Sequence, residues 1–258
     1  MDAWLYHGHH QTYTEDLIFW EEIALKKGGP ILELGCGTGR VSLHLLKKGY
    51  RVIGLDNDFN MLTALKQLAK EEKTSQLYIL QADITQFYLC DHFPLIIFPC
   101  NTYSTLKPIE RKITLERINK QLTQDGWLVI SMMNPTLLNH LPQVGEPELD
   151  TLFNHPIDGY PVQVTSSWNR HDNNVFILNW TYDHLFPDGT SKRTQIITTH
   201  YLAAPECYLD DFRNSGYEIV NCLGDFGNHA YSDQSPYLII IAKHKPKRKS
   251  NEYKNKSR

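Results

Sequence analysis

Cysteine is scarce in this chain and unsuited to pairing. Cys36, Cys90, Cys100, Cys207 and Cys222 are odd in number, and no two form a C-x-x-C pair. A disulfide scaffold and a cysteine-based zinc module are therefore not expected, and five free thiols suit a reducing, cytoplasmic setting. Long apolar runs are also missing: none approaches the roughly 18 residues that a membrane span needs. The opening residues Met1-Asp2-Ala3-Trp4-Leu5-Tyr6-His7 have neither the basic flank nor the apolar centre of a signal peptide. Basic charge is outnumbered over most of the chain. Eight Lys or Arg residues and one acid, Glu252, fall from Lys243 onward; removing them from totals of 26 and 29 leaves 18 basic against 28 acidic residues over 1–242. Such an acidic body is a poor match for nucleic acid, and the basic segment 245–258 reads as a disordered tail. No internal repeat of solenoid period is present.

What is present centres on Pro30-Ile31-Leu32-Glu33-Leu34-Gly35-Cys36-Gly37-Thr38-Gly39-Arg40. Ile31, Leu32 and Leu34 read as a buried strand, and Val41, Leu43, Leu45 and Leu46 as the buried side of a helix. Between them a glycine turn lets the backbone approach a ligand at a helix N-terminus. Gly35, Gly37 and Gly39 give G-x-G-x-G; a dinucleotide fingerprint would require glycine where Arg40 stands, and no Gly-Lys-Ser/Thr builds a P-loop. A second strand, Arg51–Leu55, ends in Asp56, 17 residues beyond Gly39. A carboxylate there can accept from both hydroxyls of a ribose.

Glu33-Leu34-Gly35-Cys36-Gly37-Thr38-Gly39 resembles the first motif of class I S-adenosylmethionine (SAM)-dependent methyltransferases. The resemblance covers residues 12–135 and, in pattern only, 195–242. It implies that SAM is the cofactor, that its methionine part lies on Gly35, Cys36, Gly37 and Gly39, and that Glu33 is the acidic residue close to it. It further implies Asp56 on the ribose, Asn57 and Met61 flanking adenine and ribose, and Asp83 with Ile84 at the adenine after a third strand, 76–80. In such enzymes the N-terminal segment folds over the cofactor, which draws attention to Tyr6 and Tyr13. After a fourth strand, 93–99, Cys100-Asn101-Thr102-Tyr103-Ser104-Thr105-Leu106 resembles the fourth motif of small-molecule methyltransferases, placing Cys100 at the cofactor. Here Thr105 stands where some relatives carry histidine, and the Asp/Asn-Pro-Pro-Tyr/Phe tetrad typical of nucleic-acid amine methylation is missing.

The remaining elements complete an α/β reading. Helices are expected over 12–26 with Thr14 as N-cap and Leu17, Ile18, Trp20, Ile23 and Leu25 apolar, and over 59–70, 108–123 and 205–215, with a fifth strand over 127–133. Residues 135–160 read as loop, and 162–168, 174–183 and 192–202 as a three-stranded meander. Strands over 217–223 and 236–242 close the sheet. The expected fold is a doubly wound, seven-stranded, mostly parallel Rossmann-like sheet with an antiparallel β insert. Its parts are a SAM-binding core with lid over 1–135, an insert covering the acceptor over 136–202, completion of the sheet over 203–244, and the tail.

Inserts of this kind resemble those of methyltransferases acting on small amines, amino sugars among them. Trp168, Trp180, Tyr182, His184, His200 and Tyr201 are then candidates to line an acceptor pocket. The expected reaction is in-line attack of an acceptor N or O on the sulfonium methyl, with alignment as the enzyme's main task. The catalytic base stays open: Tyr6, His10, Tyr13 and His200 are the leading candidates, with His7, His9 and Tyr201 beside them. The three N-terminal histidines lack acidic or cysteine partners at ligand spacing, so no metal is expected there. The alternatives are an RNA methyltransferase using the basic tail, a nicotinamide enzyme, against which the G-x-G-x-G spacing argues, and a SAM-binding regulator; the expected partners are a small-molecule acceptor and a second copy in a homodimer.

Overall fold

The computed structural model describes residues 2–71, 76–171 and 174–245. Helices α1 (Ala3–His10) and α2 (Leu17–Lys27) precede β1 (Ile31–Leu34), α3 (Arg40–Lys47), β2 (Val52–Asp56), α4 (Phe59–Glu71) and β3 (Leu77–Gln81). Then come β4 (Phe93–Phe98), a 3-10 turn (Thr102–Thr105), α5 (Pro108–Asn119), β5 (Leu122–Met133) and α6 (Pro135–His140). Strands β6 (Val144–Asn154), β7 (Pro161–His171), β8 (Val175–Leu185) and β9 (Ser191–Tyr201) follow, and α7 (Pro205–Asn214), β10 (Tyr217–Leu223) and β11 (Tyr237–His244) complete the chain.

The seven-stranded sheet runs β10-β11-β5-β4-β1-β2-β3, and β11 is antiparallel to both its neighbours. All four residues of β1 are buried because β2 and β4 flank it and both faces are covered. Leu32 and Leu34 join the core on one face with Phe98 and Ile130, while Ile31 joins the other with Trp20 and Val41. The order reverses between β1 and β4. Open sheets of this kind part at that point, and the loops after β1 and β4 border the crevice.

Four local expectations are corrected. The second helix begins at Asp16 rather than Thr14, and its buried residues are Phe19, Trp20, Ile23 and Ala24; Ile18 and Leu25 are 69% and 78% exposed. Residues 3–10 form a separate helix, capped by Asp2, whose carboxylate accepts from the N–H groups of Trp4 and Leu5. Helix α5 stops at Asn119, and Asp125-Gly126 lies within β5, where the pairing with β4 jumps from Phe93↔Leu122 to Leu95↔Trp127. The insert has four strands, ordered β6-β7-β8-β9, because Val144–Asn154 is an edge strand rather than loop. Of the expected basic tail, only Lys245 is among the described residues.

Among the described residues no helix is long and apolar enough to cross a membrane. Leu5 of α1 packs into the insert's own core with Val162, Val164, Tyr182 and Ile196, so the first helix lies between insert and sheet.

Candidate functional site

The loop after β1 stays hydrogen-bonded to β2: the N–H groups of Gly35 and Cys36 both donate to the Leu55 carbonyl, at 2.8 and 3.0 Å. Gly35 and Gly37 take φ of 72° and 53°, the left-handed region that favours glycine. A Cβ on Gly35 would lie 2.4 Å from Thr102 Cγ2, and one on Gly37 would face the Tyr6 ring at 3.5 Å. The turn is thus a bare cradle, bounded by the loop after β4 on one side and α1 on the other.

Asp56 stands at the end of β2. Its Oδ2 accepts from Gly37 N–H at 2.8 Å and its Oδ1 from Asp58 N–H at 2.9 Å. Burial pushes its carboxyl up, while these two N–H groups oppose the shift. Asp58, not Asp56, caps α4 through Asn60 and Met61 N–H, which leaves Asp56 with unused lone pairs on the cavity. Glu33 is buried and accepts from the Ser42 hydroxyl. Burial raises its carboxyl to about 8, against the pull of Ser42 and Arg40. Asp83 holds its own loop: Oδ1 accepts from Thr85 N–H and Thr85 Oγ1–H, each at 2.7 Å.

The loop after β4 is strained. Cys100 and Asn101 are consecutive non-glycine residues at φ of 54° and 68°. They are held there by β5: Asn101 N–H donates to Ser131 O at 3.1 Å, and Asn101 Oδ1 accepts from Met133 N–H at 2.6 Å. Cys100 opens onto the cavity with its Sγ 2.7 Å from Arg40 Nη2, and burial pushes its thiol up to about 11. Arg40 in turn forms a bidentate pair with the fully buried Asp16, at 2.5 and 2.7 Å, and donates to Tyr13 O at 2.8 Å. Asp16 also accepts from Trp20 Nε1–H. Sequence reasoning noticed Arg40 only as the glycine that is not there, and missed Asp16 altogether.

The loops after β1, β2, β3 and β4 border one cavity of about 530 Å³. Gly35, Gly37, Asp56, Asn57, Met61, Asp83, Ile84 and Cys100 line it, as do Tyr6 and His10 from α1. Four of the expected cofactor residues, Tyr13, Glu33, Cys36 and Gly39, do not line it. Tyr13 faces away and donates its hydroxyl to Tyr237 Oη at 2.9 Å. Cys36 is buried under Gly54, and Gly39 sits against Leu65. Glu33 and Cys36 border a small adjoining recess that shares Tyr6, His10, Gly35 and Cys100 with the main cavity.

The other wall of the same cavity comes from the insert: Leu178, Trp180 and Tyr182 on β8, and Ile196, Thr198 and His200 on β9. Each set alternates along its strand, so one sheet face supplies the whole wall. Trp180, Tyr182 and His200 were expected there; Trp168, His184 and Tyr201 are not among the lining residues, and Trp168 Nε1–H instead donates to Pro142 O at 3.3 Å.

Two imidazoles on the cavity have fixed tautomers. His10 Nδ1 is 3.0 Å from Tyr6 O, a group that only accepts, so the proton is on Nδ1. Burial drives His10 down to about 3, leaving Nε2 with a bare lone pair. Ser104 gives its only proton to Asn101 O at 2.7 Å, so His200 Nδ1–H donates to Ser104 Oγ at 2.9 Å. Burial takes His200 down to about 4, and its Nε2 is bare as well. His9 plays a different part. Its Nε2–H donates to Asp150 at 2.8 Å and its Nδ1 accepts from the Tyr182 hydroxyl at 2.9 Å, clasping α1 to β6 and β8. Its acidic partner lies 141 positions away, beyond the reach of a spacing argument. His7 meets Thr38 Oγ1 at 3.3 Å.

Residues 31–126 match the family model described as a methyltransferase domain. A protein of Bacillus subtilis (strain 168) named "Putative methyltransferase YqeM" is 24% identical over 253 residues, covering 93% of each chain. Among solved structures, a S-adenosylmethionine-dependent methyltransferase from Clostridium acetobutylicum superposes with a TM-score of 0.80 at 13% identity, covering 94% of this chain and 98% of its own. The sugar N-methyltransferase KedS8 from Streptoalloteichus sp. gives 0.72 at 18% identity, covering 94% and 92%.

Proposed function

Since the chain is a class I SAM-dependent methyltransferase, we propose that it methylates the nitrogen of a small amine, of the amino-sugar kind, held beneath the four-stranded insert. The observation that carries this reading is the pair of neutral imidazoles, His10 and His200, on the wall of one cavity, each with its proton on Nδ1 and none on Nε2. Such atoms accept hydrogen bonds and donate none. An unprotonated amine bonded to them through its N–H groups keeps its own lone pair for attack. Trp180 and Tyr182 supply flat apolar walls for the carbon face of a ring.

Bound SAM supplies an electrophilic methyl on a cationic sulfur. Asp56 is positioned to accept from ribose hydroxyls, Met61 and Asn57 to flank the nucleoside, and Asp83 and Ile84 to meet the adenine edge; Glu33 stands behind the glycine turn. Tyr6 and His10 on α1, clasped to the insert through His9, exclude water from above. Alignment then provides most of the rate. A hydroxyl acceptor fits less well, because an imidazole held near 4 is a weak base toward a group that ionises far higher. KedS8, a sugar N-methyltransferase of similar fold, supports the same reading.

The test is methyl transfer from labelled SAM to a panel of amino sugars and other small amines, with the product identified by mass spectrometry. His10→Phe and His200→Phe each remove one orienting hydrogen bond, worth roughly 0.5–1.5 kcal/mol, and should lower kcat/KM by about 2- to 13-fold. A thousandfold loss in either variant, with acceptor still bound, would mean base catalysis and an oxygen acceptor.

A further inference from the structure

Where β6 turns into β7, outside the residues that line the cavity, three side chains of metal-binding type converge. His155 and Asp158 belong to the turn between β6 and β7, and His184 to β8. One donor atom from each lies within 4.8 Å of the other two. His155 Nδ1 is 3.3 Å from Asp158 Oδ1, and His184 Nε2 is 3.2 Å from the same oxygen. Four ligands placed tetrahedrally at zinc's usual bond length are separated by about 3.3 Å, whereas neighbouring ligands of an octahedral magnesium lie about 2.9 Å apart. The two edges to Asp158, 3.2 and 3.3 Å, lie near the tetrahedral value, and the third donor pair lies within 4.8 Å.

The ligands are also held in place. Gly159 N–H donates to His155 O at 2.9 Å and His155 N–H to Tyr160 O at 2.8 Å, closing the turn on itself. Tyr160 N–H orients the Asp158 carboxylate at 3.0 Å, as an outer partner orients a metal-bound carboxylate. The His155 and His184 rings lie 4.5 Å apart at 33°, and Phe186 and Tyr160 pack around His184 at 4.6 and 6.5 Å. A second observation points to a ligand. His155 Nδ1 is buried and has no hydrogen-bond partner, which in a native protein calls for an explanation.

We propose that His155, Asp158 and His184 bind a divalent transition-metal ion of the zinc type, with a water molecule as fourth ligand. Two imidazoles and one carboxylate are a donor set that zinc takes and that magnesium and calcium avoid. Binding displaces the proton that His184 Nε2 shares with Asp158 and joins the β6–β7 turn to β8. His184 is two residues from Tyr182, on the strand that forms the cavity wall. The ion therefore braces the acceptor cover and takes no part in methyl transfer.

The experiment titrates chelator-treated full-length protein with Co²⁺, reading the visible bands of tetrahedral cobalt, and then displaces it with Zn²⁺. One cobalt per chain is expected, displaced by one zinc, with a rise in Tm on zinc addition. Asp158→Asn keeps the acceptor for Tyr160 N–H, and His155→Phe fills the same aromatic niche, so both should fold; far-UV circular dichroism and the Tm shift on SAM addition verify this. Each should weaken cobalt binding at least tenfold and abolish the zinc-dependent rise in Tm. The proposal is overturned if the wild type takes up no tetrahedral cobalt, or if the two variants bind it as tightly, which would place the ion elsewhere. Because SAM binding is read separately, failure here leaves the methyltransferase reading intact.

Discussion

Replacing Asp56 by Asn tests the cofactor half of the site with the least disturbance. The carboxylate receives two backbone N–H groups, from Gly37 and Asp58, at 2.8 and 2.9 Å, and each oxygen keeps a further lone pair for the cavity. Asp56→Ala would strip both N–H groups and let the glycine turn move, mixing a folding effect into the binding one. Asn keeps the shape and one acceptor, but turns an amide donor toward an N–H donor and removes the charge. A hydrogen bond to a charged group is worth about 1.5–3 kcal/mol; losing one and weakening its neighbour should cost about 2–4 kcal/mol of SAM affinity, roughly 30- to 700-fold. The unpaired N–H left in the turn lowers stability by about 1–3 kcal/mol. Calorimetric titration with SAM at a temperature where circular dichroism shows the variant folded is the assay. Affinity within threefold of wild type in a folded Asp56→Asn protein would refute the ribose assignment.

Gly37→Val places a branched side chain at φ 53° and against the Tyr6 ring; SAM binding should vanish while Tm falls only a few degrees, and normal binding would show the turn to be merely structural. For pH, the buried neutral imidazoles His9, His10 and His200 bind protons when unfolded but not when folded, so they add stability above about 6.5 that is lost as pH falls toward 4. Glu33, raised to about 8, works in the opposite sense: its folded form keeps a proton that the unfolded chain gives up, so stability falls as pH rises from about 4.5 to 8. Thermal melts should therefore peak near pH 6–7, with Glu33→Gln flattening the alkaline side and steepening the acid side above about 4.5; an alkaline slope unchanged in that variant would contradict the buried-acid reading.

The seven-stranded sheet was legible because most of its strands carry apolar runs, as in β1, β4 and β11, ended by glycine or by a change to polar residues, and such signals are local. Strand β6 was not. Its residues are mostly exposed, it contains Pro147, and its pairing with β7 shifts register twice, so no alternation survives to be read. Asp125-Gly126 looked like a turn, yet β5 absorbs it where the pairing with β4 skips. Among the residues that line the cavity, the glycine turn and Asp56 were legible from spacing, and Asp83 with Ile84 only through the family resemblance. The Asp16–Arg40 pair and the His9 clasp were not, since each joins residues far apart in sequence, and no local pattern marks a buried ion pair before its partner is known.

The missing histidine of the fourth motif shows how far that limit reaches. Thr105 occupies the position, and its hydroxyl is spent on Thr102 O at 2.8 Å, so the motif by itself offers no imidazole. The turn nevertheless touches one. Ser104, the adjacent residue, receives the Nδ1–H of His200 from β9, 96 positions later. The serine can do this only because its own proton goes to the carbonyl of Asn101, whose left-handed backbone is held by Met133 N–H. The strained loop after β4 thus sets the tautomer of a histidine on the insert, and that tautomer decides whether the cavity offers the acceptor a lone pair or a proton. Removing the Ser104 hydroxyl frees His200 Nδ1 from its partner and lets the ring take either tautomer, without altering any group that faces the cofactor half. The tautomer of His200 is therefore set by the contact between two segments, one in the core and one in the insert, and neither segment alone specifies it.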